Sequence, residues 1–235
     1  MNSRYPHIYI VGAHSTGKTT LFQSLSLMVS NYIKAANLPL NLYTIEERAR
    51  IVHQSGIFSR QDLENKQMRS HDLQHLVQKL QFEAEDQALA AADKAAGEPL
   101  LLCDRSGLDP IAYDLLYAPS YAETKKRLIA TPAWKIMRER MRQSLVVVCP
   151  IQPSFIKDDG LRLIEKDLKA WDILHAKFCE LLEEHGIPFH IVPVNLLDAG
   201  ERAQYVFRLW KSHISPRIDE IQTQSREANE ILLEA

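Results

Sequence analysis

The chain has 235 residues and a mass of 26.9 kDa, enough to bury a full core within one domain. Its composition, 46% hydrophobic and 25% charged, is that of an ordinary globular protein and excludes wholesale disorder. A formal charge of −2 and a pI near 6.5 lack the basic excess that nucleic-acid binders use to displace counterions, so a small ligand is favoured and no nucleic acid is expected.

Cys103, Cys149 and Cys179 lie beside apolar residues without metal-ligand spacing, which suits reduced, packed thiols and a cytoplasmic protein. No apolar run reaches membrane-spanning length, so no transmembrane segment is expected.

The first predicted strand, Ile8 to Val11, runs directly into Gly12-Ala13-His14-Ser15-Thr16-Gly17-Lys18-Thr19. This octapeptide fits G-x-x-x-x-G-K-[ST] and leads into a helix marked by Leu21, Leu25, Met28 and Tyr32. Glycines at the two fixed positions let successive amides converge on phosphate oxygens, and the helix adds its positive end. The stretch therefore reads as a loop for the phosphates of ATP or GTP with Mg²⁺. Gly12, His14, Ser15, Thr16, Gly17, Lys18, Thr19 and Thr20 form the predicted phosphate-binding set. Lys18 is expected to reach the β and γ phosphates and Thr19 to ligate the ion. His14, though inside the loop, is not given an acid or base role.

The second strand, Leu42 to Ile45, ends in Glu46-Glu47-Arg48-Ala49-Arg50. In open parallel sheets ligands bind beyond the carboxyl ends of the strands, so Glu46 is a candidate to accept a proton from a substrate hydroxyl. A structural alternative is that Glu46 or Glu47 caps the next helix and pairs with Arg50. A long helix marked by Leu73, Leu76, Val77, Leu80, Ala84, Ala88 and Ala91 follows, and Gly97 and Pro99 stop it before the third strand, Leu100 to Cys103. Asp104, next in the chain, is the expected acidic partner of Mg²⁺, directly or through water. Arg48, Arg50 and Arg105 suit a clamp on substrate phosphate or carboxylate.

The basic groups Lys125-Lys126-Arg127 and Arg138, Arg140, Arg142 read as solvated helix faces. After the fourth strand, Leu145 to Cys149, the polar excursion Pro150 to Arg162 stands where a phosphotransferase keeps a lid, with Lys157 and Arg162 available to stabilise transferring charge. A surface loop in which Arg162 pairs with Asp159 or Glu165 is the alternative. Leu161 to Leu182 form a helix ended by Gly186 and Pro188, Phe189 to Val192 a fifth strand, and Asp198 an N-cap for a helix carrying Ala203, Val206, Phe207 and Trp210. Residues 1–214 thus read as one α/β domain with helices on both sheet faces. Residues 215–235 read as a peripheral helix or tail.

The phosphate loop, the Glu47-Arg48-Ala49-Arg50 segment, the Asp104-Arg105-Ser106-Gly107-Leu108-Asp109 run with Ala112-Tyr113, and Asp158 to Arg162 form one ordered pattern. It resembles the NadR-like P-loop family, which includes the nicotinamide riboside kinase domain of NadR and an animal relative regarded as a GTP- and phosphoinositide-binding regulator, and which looks related to nucleoside and nucleotide kinases. The resemblance spans about residues 5 to 212. It implies a P-loop NTPase fold with a five-stranded parallel sheet in the order 2-3-1-4-5 and a lid. It also implies that Asp104-Arg105 matches the Asp/Glu-Arg motif of those kinases, and that either Glu46 or Glu47 is the aligned carboxylate. Pro193 to Leu197 would border the nucleotide base, without the Asn-Lys-x-Asp signature of guanine-selective GTPases.

Two readings follow. In the leading one the protein is a kinase that moves the γ-phosphoryl group of ATP to a small, nucleoside-like acceptor, with Lys18, Glu46, Asp104 and Arg162 as its catalytic set. In the other it is an ATP- or GTP-switched regulator whose basic helices meet a lipid headgroup or protein partner. Either leaves room for a homodimer.

Overall fold

The computed structural model describes residues 5–58, 68–92, 97–117, 120–155 and 168–215. Its strands are β1 (Ile8–Val11), β2 (Leu40–Ile45), β3 (Glu98–Asp104), β4 (Leu145–Val148) and β5 (His190–Ile191). They pair in parallel in the order β2-β3-β1-β4-β5, the order that the resemblance implies. All five strands lie where the apolar runs place them, with β2 and β3 extended by one or two residues at their ends and β4 and β5 shorter.

Alternation along the strands divides the core in two, because successive side chains point to opposite faces. Tyr9, Val11, Leu101, Cys103, Val146 and Val148 face one side, where they meet Ile111, Trp134, Met141, Trp171, Leu174 and Phe178. Ile8, Ile10, Leu100, Leu102, Leu145 and Val147 face the other, against Leu21, Leu25, Val29, Val206 and Trp210. The helices that supply these contacts are α1 (Lys18–Ala35), α4 (Asp109–Tyr117), α6 (Pro132–Arg142), α7 (Leu168–Glu184) and α8 (199–215). The remaining three, α2 (Arg48–Gln54), α3 (Met68–Ala92) and α5 (Tyr121–Ala130), complete the described helices. A satellite cluster of Val52, Phe58, Leu73 and Val77 seats α2 against α3.

Asp198 caps α8 as its position predicts: its Oδ1 accepts from the amides of Gly200 at 2.8 Å and Glu201 at 3.0 Å. The reading of Arg140 as a solvated cation needs correcting. Its Nη1 lies 2.5 Å from Oε2 of the fully buried Glu85, whose charge requires a partner. Lys126 and Arg127 do lie exposed on α5. Of the lid excursion, only its start falls among the described residues, with a 3₁₀ turn at Pro153–Phe155. Lys157, Arg162 and the tail 216–235 lie outside the described residues. Among the described residues no helix is long and apolar enough to cross a membrane.

Candidate functional site

The parallel register brings the ends of β1, β2 and β3 together. Ile10 lies opposite Asp104, and Ile45 opposite Cys103, so the phosphate loop, the Glu46-Glu47 step and the Asp104-Arg105 step leave the same edge of the sheet. Gly12 has φ +127° and Gly17 φ +75°, conformations that favour glycine. A Cβ on Gly12 would also sit 2.7 Å from the Cys149 carbonyl oxygen, so its backbone approach to β4 excludes any side chain.

Lys18 opens α1 and is buried. Its Nζ donates to the Ala13 carbonyl oxygen and, at 3.1 Å, to Thr16 Oγ1, which folds the ammonium back over the loop. Burial, and then the neighbouring Arg105 guanidinium, lower its pKa from 10.5 to about 7. The Thr19 hydroxyl donates to Asp104 Oδ2 at 2.7 Å. The other carboxylate oxygen of Asp104, Oδ1, is buried and has no hydrogen-bond partner among the described residues. A hydroxyl beside a carboxylate with one open oxygen, next to a phosphate loop, fits a hard divalent cation that keeps water and phosphate as further ligands. Thr19 and Asp104 are the residues that would hold it.

Arg105 follows in an unusual backbone state, φ +91°, fixed by its amide donating to the Ile10 carbonyl at 3.0 Å. This turn aims the buried guanidinium into the cluster. Nη1 donates to the Gly12 carbonyl at 2.9 Å, to Asp109 Oδ1 at 3.1 Å and to the Tyr113 hydroxyl at 3.1 Å, while Nη2 lies 3.1 Å from Glu47 Oε1. Burial opposes its charge, but Tyr113, Glu47 and Asp109 together hold its pKa well above the ordinary value. Asp109 in turn accepts from the Ser106 amide at 2.8 Å and hydroxyl at 2.9 Å, and burial raises its pKa. The expected clamp role of Arg105 thus meets a guanidinium already engaged by protein groups.

A pocket opens beside this cluster. Glu47, Arg105, Asp109, Tyr113 and His14 line its polar side, Ala49, Leu73, Val77 and Pro110 give it apolar walls, and Arg48, His53, Gln74, Gln81 and Ser106 complete it. The residues that shape it come largely from α2, α3 and α4, elements whose apolar period gives no hint of a cavity. Glu46 is not among its lining. It is exposed, with its carbonyl accepting from Arg48 Nε at 2.8 Å. Glu47 is the buried carboxylate, and although it occupies the N-cap position of α2 its side chain makes no cap hydrogen bond. The expected geometry is therefore exchanged between the two glutamates: Glu47, not Glu46, faces the pocket. Arg50 pairs with Glu47 Oε2 at 3.6 Å from outside the pocket lining.

Two buried groups that the motifs do not reveal also touch the loop. Trp171 Nε1 donates to the His14 carbonyl at 3.2 Å, and Arg202 Nη2 to the Thr16 carbonyl at 2.9 Å.

No curated protein matches the sequence. Among solved structures the fold resembles shikimate kinase from Acinetobacter baumannii in complex with shikimate, at 14% identity and a TM-score of 0.43, over 89% of this chain and 95% of that one. The AAA domain family matches residues 7–199, a span that runs from the start of β1 to the first turn of α8 and contains the phosphate loop, Glu47, Asp104 and Arg105. The chain belongs to this AAA domain family.

Proposed function

We propose that the protein is a P-loop phosphotransferase that moves the γ-phosphoryl group of ATP, or of GTP, to a hydroxyl on a small acceptor held in the pocket beside the loop. One observation carries this reading. The pocket meets the phosphate loop at His14 and extends away from it between α2, α3 and α4, and a buried carboxylate, Glu47, faces it. A protein that only binds a nucleotide has no need of a buried carboxylate facing such a pocket.

In this reading the loop amides and Lys18 bind the β and γ phosphates, which requires Lys18 to leave the Ala13 carbonyl. Mg²⁺, when bound through Thr19 and Asp104, would neutralise charge on the phosphates. Glu47, oriented by Arg105, accepts the acceptor hydroxyl proton as the new O–P bond forms and the bond to the nucleoside diphosphate breaks. Gln74 and Gln81 offer amides to polar groups of the acceptor while Leu73 and Val77 cover its apolar face. The sequence resemblance to NadR-like kinases supports a nucleoside-like acceptor, and Arg48 at the pocket wall is its expected anchor. Arg162 in the excursion after β4 is the proposed lid cation.

The test is acceptor-dependent ADP release across nucleosides, nucleotides and inositol compounds. Release with one class names the acceptor. If MgATP or MgGTP binds and no acceptor stimulates release, the kinase reading fails and a nucleotide-switched binding protein replaces it.

A further inference from the structure

We propose that Trp171 and Arg202, acting with Arg105, are positioning residues that hold three alternate amides of the phosphate loop open for a polyphosphate by capturing the carbonyls of Gly12, His14 and Thr16. The inference rests on the reading of this loop as the triphosphate site and extends it to residues far away in the chain.

The geometry is regular although the donors are not. Arg105 Nη1 takes the Gly12 carbonyl at 2.9 Å, Trp171 Nε1 the His14 carbonyl at 3.2 Å and Arg202 Nη2 the Thr16 carbonyl at 2.9 Å. They come from the exit of β3, from α7 and from the first turn of α8. Every peptide bond among the described residues is trans, so each captured carbonyl turns the N–H of the next residue the opposite way. Those next residues are Ala13, Ser15 and Gly17. Their amides find no acceptor among the described residues.

Three N–H groups on one short loop, left open and turned from their clamps, make an anion nest. Donation to the carbonyl also polarises the peptide and strengthens the opposite N–H as a donor. A loop that must collect its amides on binding would lose affinity to that ordering, whereas one held from outside would not.

Arg202 adds charge. It is buried, its guanidinium lies over the Phe155 ring at 5.2 Å, and it pairs with no carboxylate among the described residues. A buried cation without a carboxylate is costly, and a polyphosphate on the loop would supply the missing negative charge. A Cβ on Gly17 would stand 2.4 Å from Arg202 Nη1, so Gly17 serves both its own positive φ and the seat of this side chain.

The experiment titrates inorganic tripolyphosphate into the full chain, reading affinity by calorimetry and the Ser15 and Gly17 amides by ¹H–¹⁵N NMR, with thermal unfolding recorded for each variant. Trp171→Phe removes one N–H and keeps an aromatic ring. It should weaken binding by about tenfold and reduce the ligand-induced shift at Ser15 more than at Gly17. Arg202→Met should do the reverse, and Arg202→Lys should recover part of the loss. Parental affinity and shifts in Trp171→Phe and Arg202→Met would overturn the proposal, as would equal loss at both amides. If Arg202→Met does not fold, Trp171→Phe alone decides. Turnover is not read, so a protein that binds tripolyphosphate in this way but transfers nothing would refute the kinase reading and leave the clamp standing.

Discussion

The Thr19 hydroxyl donates to Asp104 Oδ2 at 2.7 Å while Asp104 Oδ1 stays buried without a hydrogen-bond partner among the described residues. A buried polar atom left in this state costs free energy unless a ligand completes it, and a cation shared with nucleotide phosphates would do so.

Asp104→Asn should therefore reduce Mg²⁺-dependent turnover far more than metal-free nucleotide binding, since the amide still accepts from Thr19 but carries no charge for the ion. Calorimetry with ATP in EDTA and steady-state rates across a Mg²⁺ series make the comparison. Undiminished turnover would show the acid to be structural.

The two glutamates after β2 provide the sharpest test of the chemistry. Glu47 is buried, 3.1 Å from Arg105 Nη2, and lines the pocket, whereas Glu46 is exposed. Glu47→Gln should lose transfer by about 10²-fold or more with nucleotide binding retained, the scale of general base catalysis. Glu46→Gln should stay within about twofold of the parent, as surface substitutions usually do. Rates at saturating MgATP and acceptor check the ranking. A reversed order would return the role to Glu46.

That pair also marks how far the sequence could be read. Short apolar runs bounded by glycine, proline or polar residues locate all five strands, and burial on both faces demands such runs in the central β1, β3 and β4. The phosphate loop is legible for a similar reason, since backbone approach to phosphate tolerates little but its glycine spacing. Glu46 and Glu47 are not separable this way. Which one turns inward depends on the backbone angle at the exit from β2 and on Arg105, which lies 58 residues away from Glu47 in the chain and adopts φ +91°. Arg140 misleads for a related reason: its partner Glu85 sits on another helix, and local charge pattern alone suggests a wet face. No motif marks Trp171 or Arg202, which lie 157 and 186 residues from the carbonyls they hold. Such contacts belong to topology, and no spacing rule contains them.

Beneath the pocket, Glu85 accepts from Tyr9 Oη at 2.9 Å and Gln81 Nε2 at 2.9 Å and pairs with Arg140 at 2.5 Å. Gln81 lines the pocket, so this network ties the acceptor wall to β1. Glu85→Ala should destabilise the fold by about 3–5 kcal/mol, because it leaves a cation and two polar groups without their partner. The double variant Glu85→Leu with Arg140→Met should recover much of that loss. Urea unfolding measures both, and a loss below about 1 kcal/mol in the single variant would mean that water replaces the carboxylate.

Lys18 gives the clearest dependence on pH. Burial and Arg105 bring its pKa from 10.5 down to about 7 in the ligand-free fold, so the unfolded chain binds more protons than the folded one between those two values. Unfolding free energy from this group therefore rises as pH increases from about 7 to 10.5, and the contribution is absent below the folded pKa, where both states are protonated. Nucleotide binding reverses the balance. Triphosphate charge beside the ammonium favours its protonated form, so binding at pH 8 should take up a proton that binding at pH 6 does not. Calorimetry in buffers of different ionisation enthalpy counts that proton directly. Apparent affinity for MgATP should fall above pH 7, by up to about tenfold per pH unit if Lys18 alone is responsible. In Lys18→Met, which cannot titrate, both the proton uptake and the stability rise above pH 7 should vanish. Proton uptake that persists in this variant would assign the titration to another group at the site.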